Sequence, residues 1–200
     1  MSKTDHKIRF SYKTLVNYNP FLFKIIIREL QPKAKEKILD LGCARGFYVR
    51  ELEKYTDGIT GIDISQDAVR QGVTQKIKCG DVTKLDFKEN TFDKIYSLHT
   101  IEHVQDLEKF FREAERVLKS GGIFLLVYPF ELFRGMQALG TATINYKNPL
   151  SSRKIHLHKL NPKKIQGLIK KTSFSHVKSK LVIALGFQYL TVLKKNDPGT

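Results

Sequence analysis

Between Ser97 and Val104 the chain reads SLHTIEHV, which sets His99, Glu102 and His103 in a His-x-x-Glu-His spacing. On one helix that spacing turns two imidazoles toward a zinc ion. Upstream, DLGCARGF places Asp40 just before Gly42 and Gly46, and two further aspartates, Asp63 and Asp81, close short apolar runs. Carboxylates and imidazoles at such ends can accept from hydroxyls and amines, move a proton or ligate a metal. The zinc reading needs a helix across residues 99–103 and a third ligand. Neither presents itself: His99 follows the strand-like NTFDKIYSL, the next helix starts near Asp106, and the residues between read as a loop. No metal is expected.

The elements that must position these residues follow from apolar periodicity. YNPFLFKIIIREL has helical spacing with Pro20 near its start. Lys37 to Leu41 reads as a buried strand, the glycines as a turn and Phe47 to Tyr55 as a helix. A second strand ends at Asp63, before a short helix that Ser65 can cap. KIKCGDV supplies a third strand and NTFDKIYSL a fourth. Leu107, Phe110, Phe111, Ala114, Val117 and Leu118 recur at helical spacing, with Asp106 as N-cap and Gly121 as the expected stop. IFLLVYP is apolar enough to be a strand covered on both faces. Residues 130–161 show no convincing long element. NPKKIQGLIKKTSF then reads as a helix, and SHVKSKLVIA and FQYLTVLKK as two strands around Gly186. Regular strand and helix alternation predicts a doubly wound, mostly parallel α/β sheet, whose ligands bind beyond the carboxyl ends of the strands. Asp40, Gly42, Asp63, Asp81 and His99 all fall there.

Composition bounds the rest. Two hundred residues, 41% hydrophobic and 28% charged, suit one globular domain. MSKTDHKIRF lacks a secretory apolar core, and Leu181 to Leu193 is too short to span a bilayer. Two cysteines, Cys43 and Cys79, with no Cys-x-x-Cys spacing predict reduced, buried thiols in cytoplasm. The net charge of +15 is unevenly spread. Residues 1–35 hold 8 basic and 2 acidic side chains, residues 36–128 hold 14 and 16, and residues 129–200 hold 13 and 2. A basic excess confined to the flanks points to an anionic partner: a small substrate, nucleic acid or an anionic membrane face.

The glycine turn excludes two nucleotide motifs. No Lys follows Gly46, so it is not a phosphate-binding loop, and Ala44 and Phe47 stand where a dinucleotide fingerprint needs glycine. Asp-x-Gly-x-Ala-x-Gly instead resembles the first motif of class I S-adenosylmethionine-dependent methyltransferases, of the small-molecule, type 11-like group, with Ala44 replacing the middle glycine. The resemblance covers Lys37 to Tyr128. It implies a Rossmann-like seven-stranded sheet, mostly parallel with the last strand antiparallel and helices on both faces, and S-adenosylmethionine as cofactor. It also implies a binding set of Asp40, Gly42, Cys43, Ala44, Gly46, Asp63, Ile64, Asp81, Val82, Leu98 and His99. Asp40 would complement the ammonium, Asp63 the ribose hydroxyls, Asp81 the adenine amino group and the Val82 N–H the ring. The alternative for the glycines is that they only shape the turn.

The expected organisation is one domain over residues 1–200: an N-terminal helical segment (1–35), a cofactor core (36–128), a substrate lid or insertion (129–161) and a C-terminal helix and strand pair (162–200). Methyl transfer is an in-line displacement in which positioning does most of the work, and a base is needed when the acceptor is a hydroxyl. His99 is the first candidate base or a pocket wall. His156 and His158, at alternating positions in KIHLHKL, are a second pair of candidate bases or a polar strand face. Phe130, Phe133, Met136 and Tyr146 would cover the substrate, with Arg134, Lys147, Arg153 and Lys154 facing its charge. Phe10, Tyr12 and Tyr18 would close the cofactor side. The function expected is methylation of a small anionic acceptor, O-methylation ahead of N or C. An RNA methyltransferase using the basic flanks, or a non-catalytic protein binding cofactor and anion, are the alternatives. Salt separates the first two, since phosphate tracking weakens steeply with ionic strength.

Overall fold

A computed structural model describes residues 18–184 and 186–197, which form one seven-stranded sheet of order β3-β2-β1-β4-β5-β7-β6. Its strands are β1 (Lys37–Leu41), β2 (Gly58–Asp63), β3 (Ile77–Cys79), β4 (Phe92–Leu98), β5 (Leu118–Pro129), β6 (Phe174–Ile183) and β7 (Phe187–Lys195). The first five pair in parallel, and β7 enters antiparallel between β5 and β6. The helices are α1 (Pro20–Leu30), α2 (Phe47–Leu52), α3 (Gln66–Arg70), α4 (Leu107–Val117), α5 (Leu139–Tyr146), α6 (Ser152–Ile155) and α7 (Pro162–Leu168). The Rossmann-like architecture expected from the sequence is the one formed.

Side chains of one strand alternate between faces, so a parallel strand needs cover on both. Along β5, Phe124, Leu126 and Tyr128 join a core with α4 and α7, whereas Leu125 and Val127 join the opposite core with α1 and α2. Local chemistry sets the helix starts. Asn19 accepts from Phe21 and Leu22 N–H with Pro20 at the first turn, Ser65 accepts from Ala68 N–H, and Asp106 from Lys109 N–H. The Glu29 carboxylate, nearly buried, takes Lys178 at 2.7 Å and Lys180 at 2.5 Å, fastening α1 to β6.

Several expectations change. Helix α2 ends at Leu52 rather than Tyr55. Gly121 does not stop α4: Leu118 is already extended, and Gly121, at φ +74°, serves a bulge in which Leu118 faces Phe92 and Ile123 faces Lys94. Cys43 is buried, but Cys79 is exposed at the end of a three-residue strand. Residues 130–161 are not irregular throughout. Helix α5 forms there from LGTATINY, a sequence with weak helical amphipathicity, and it packs through Ala142 against Ala138 and Ile155. Residues 156–158 belong to no strand. Phe10, Tyr12 and the Tyr146 side chain lie outside the described residues, while Tyr18 packs on Tyr48 and Phe23. No helix among the described residues is long and apolar enough to cross a membrane.

Replacing Asp106 with Ala removes the acceptor for the first turn of α4 and is expected to lower unfolding free energy by about 1 kcal/mol, measured by urea denaturation.

Candidate active site

The carboxyl ends of β1, β2, β3 and β4 bring Asp40, Asp63, Asp81 and His99 to one edge of the sheet. Between β1 and α2 the turn passes through three left-handed residues, Gly42 (φ +85°), Ala44 (φ +49°) and Gly46 (φ +78°). A Cβ on Gly42 would stand 2.0 Å from Thr100 Oγ1, so the turn after β1 packs directly on the turn after β4. That glycine is required by the protein itself, whatever the ligand. Ala44 occupies a conformation that penalises a Cβ.

Asp63, only 5% exposed, binds the two turns together. One carboxylate oxygen accepts from Ala44 N–H at 2.8 Å and the other from Ser65 N–H at 2.9 Å. Asp40 is 2% exposed and sits between Gly61 and Tyr96 in the sheet register. Its Oδ1 and the Tyr96 hydroxyl are both buried and neither makes a hydrogen bond of regular geometry, although the two groups lie close enough to interact. Burial, opposed by the Tyr96 hydroxyl and reinforced by the Asp63 charge, pushes the Asp40 pKa up to about 8. Asp81 is exposed, and its Oδ1 accepts from the Thr83 N–H and hydroxyl, each at 2.8 Å. Ile64 is left 73% exposed beside Asp63, an apolar side chain on a polar rim, while Val82 and Leu98 are half-buried. Cys43 is buried in the core that β1 shares with α2, with its thiol pKa pushed far up by burial and the two nearby aspartates.

Past β4, His99 is again left-handed (φ +50°), its N–H held by Val127 O at 2.9 Å. Ile101–His103 form a single 3-10 turn, not an α-helix. That turn buries Glu102 to 1% exposure, with neither carboxylate oxygen hydrogen-bonded. His99 Nδ1 lies 3.4 Å from Glu102 Oε1 and His103 Nε2 lies 3.9 Å from the same atom. Burial would raise the Glu102 pKa, but His99, His103 and His156 together hold it below the usual carboxylate range. His99 is disfavoured as a cation by burial, yet Glu102 and Gln188 raise its pKa above the ordinary imidazole value. His103 is held below it by burial. His156 Nδ1 contacts Glu131 Oε1 at 2.6 Å, and His158 Nε2 meets Val104 O at 2.8 Å. His158 therefore braces a loop, and His156 belongs to the Glu102 cluster. Of the presumed lid, Leu132, Phe133, Arg134, Lys147, Arg153 and Lys154 are exposed, and Met136 is half-buried.

Three participants escape the sequence reading. Tyr96 looks like any apolar residue of a buried strand, and Gln188 like a polar residue of an edge. Glu131 had a signal: it is one of two acids among residues 129–200.

The model of a methyltransferase domain matches residues 39–126, spanning β1 to β5. Over these residues the chain is similar to methyltransferase domains. A sterol 24-C-methyltransferase of Gibberella zeae is 32% identical over 139 residues, covering 62% of this chain and 36% of that protein. A phosphoethanolamine N-methyltransferase of Triticum aestivum is 36% identical over 114 residues, covering 52% and 22%. The chain thus spans about a third or less of the length of these curated relatives. A methyltransferase structure from Methanosarcina mazei superposes with TM-score 0.66 at 20% identity, covering 86% of this chain and 98% of that one. The cofactor of this family is S-adenosylmethionine, and its demands fit the edge described: an orphaned buried carboxylate oxygen on Asp40, a close-packed glycine turn, and the uncovered Ile64.

Ala44→Gly relieves the left-handed Cβ and is expected to stabilise the domain by about 1 kcal/mol, whereas Gly42→Ala should destabilise it by more than that through the Thr100 clash, both read by denaturation midpoints.

Proposed function

We propose that this chain transfers a methyl group from S-adenosylmethionine to a small, anionic acceptor, a hydroxyl ahead of an amine or carbon. The observation that carries the reading is the succession of Asp40, Asp63 and Asp81 at the ends of adjoining strands, around a turn in which Gly42 and Gly46 lack a Cβ. When bound, the cofactor supplies a methyl on a sulfonium, an electrophile already activated for in-line displacement. The chain's part is to hold and orient. Asp40 faces the amino-acid end, where an ammonium would satisfy its orphaned oxygen. In this reading the Asp63 carboxylate would take the ribose hydroxyls and Asp81 the adenine amino group, with Ile64 covering the base and the Cys43 backbone, Leu98 and Val82 lining the pocket.

On the acceptor side, His99 is the candidate base. The buried Glu102 positions its ring, and Gln188 supports it from β7. That arrangement suits an acceptor that loses a proton. Exposed Lys147, Arg153 and Lys154 on the 130–161 segment support an anionic acceptor. The relatives' names record carbon and nitrogen acceptors, one of them phosphorylated.

Calorimetry with S-adenosylhomocysteine tests the cofactor side: Asp63→Ala is expected to weaken binding at least about tenfold, the loss of one good hydrogen bond to a charged group. Unchanged affinity in a folded variant sinks the ribose assignment. Because free Asp40 is protonated below about pH 8, an ammonium ligand must displace that proton. Affinity should therefore climb from pH 6 to 8, and Asp40→Asn should flatten the rise. The sign for folding is the opposite. A raised carboxyl pKa means stability is full below the ordinary value of 3.8 and is lost progressively as pH climbs from there to about 8, so the cofactor-free domain should lose stability across that window and Asp40→Asn should not. On the acceptor side, His99→Ala is expected to cut kcat by roughly 10²- to 10⁴-fold with little change in cofactor affinity; full turnover in the variant removes His99 from the chemistry.

A further inference from the structure

We propose that Glu102, His103 and His156 bind one divalent transition-metal ion of the zinc class. The zinc spacing read in the sequence offered His99 and His103 as ligands, of which only His103 belongs to the set, and no third. The fold supplies it, because Leu157 N–H and His158 N–H both donate to Glu102 O, at 2.8 and 3.3 Å, and fasten the 156–158 segment onto the 3-10 turn. One ligand atom from each of Glu102, His103 and His156 then lies within 4.8 Å of the others, and the two imidazole rings stand edge to face with centroids 5.0 Å apart.

The hydrogen bonds around the cluster prepare it for a cation. His103 Nδ1 lies 2.7 Å from Ile155 O, and a carbonyl only accepts, so Nδ1 carries the hydrogen and Nε2 keeps its lone pair toward Glu102. His156 Nδ1 faces the Glu131 carboxylate at 2.6 Å, which leaves its Nε2 as the lone-pair atom. Glu131 is itself oriented by Gly135 and Gln137 N–H, at 3.0 and 3.2 Å. Metal-bound histidines characteristically donate their second nitrogen to a carbonyl or carboxylate in this way. Between them stands Glu102, almost fully buried, with neither oxygen in a hydrogen bond of regular geometry and His99 Nδ1 approaching one of them at 3.4 Å, so a cation on the His103 and His156 side would satisfy a carboxylate that burial otherwise penalises. Two imidazoles and one carboxylate are a known zinc ligand set that leaves a fourth position for water or another oxygen. Ligand atoms about 2.0–2.1 Å from an ion sit roughly 3.3 Å apart, so the 3.9 Å between His103 Nε2 and Glu102 Oε1 needs to shorten by about half an ångström. The site stands on these residues alone and does not depend on the cofactor reading.

The test is calorimetric titration of the full chain with Zn²⁺, and the visible spectrum with Co²⁺, in a Cys79→Ser background that removes the exposed thiol as a competitor. One ion per chain, a cobalt spectrum typical of four or five ligands and a rise in Tm with Zn²⁺ are expected. His156→Ala and Glu102→Gln should each weaken Zn²⁺ by about 100-fold or more, and Glu131→Gln by about 10- to 100-fold through the orientation of His156. His158→Ala and His176→Ala should leave binding unchanged. Zn²⁺ affinity that is equal in His156→Ala and the parent overturns the proposal. Should that variant not fold, failure of Zn²⁺ to raise the Tm of the parent, or equal affinity in Glu131→Gln, overturns it as well.

Discussion

Asp63 has to satisfy two backbone N–H groups that belong to different turns, and the cofactor edge depends on its doing so. Ala44 and Ser65 are brought to one carboxylate from the ends of β1 and β2, at 2.8 and 2.9 Å. Buried N–H groups without an acceptor are costly, so this side chain makes the strained turn after β1 a fixed surface rather than a loose loop. The Gly42–Thr100 contact then carries that surface to the turn after β4, which holds His99 and Glu102. The turns after β1, β2 and β4 are thereby joined to one another, the kind of fixed positioning on which the proposed in-line displacement depends.

Glu102 is the second constraint. A 3-10 turn of three residues buries it where a loop would have left it in water, and its charge organises three histidines from two distant stretches of chain. His99 approaches from the strand end, His103 from the turn itself and His156 from the segment after β5. The same carboxylate thus orients a candidate base on one side and completes a metal-ligand set on the other. Glu131 extends the cluster into the 130–161 segment, so that segment is tied to the strand ends through polar contacts rather than through a large apolar interface.

Strands β1 to β5, the capping residues Ser65 and Asp106 and the glycine turn were legible because each rests on local chemistry: apolar runs, an acceptor ahead of a helix, and a Cβ excluded at φ > 0. Gly121 misled for the same reason, since a glycine at positive φ serves a bulge as well as a helix end. Helix α5 was missed because LGTATINY has no strong apolar stripe and is held by contacts with Ala138 and Ile155 that lie outside it.

The sequence by itself determined the sheet, the order of the three aspartates along it and the likeness of residues 39–126 to methyltransferase domains, because strand ends in a parallel sheet all face one edge. Only the tertiary structure decided what the histidines do. Spacing within SLHTIEHV cannot say whether the backbone there is helical, and nothing local reveals that His156 and Glu131 return to it. Those contacts join positions more than twenty residues apart, and they exist because backbone hydrogen bonds to Glu102 close a long loop onto a buried charge.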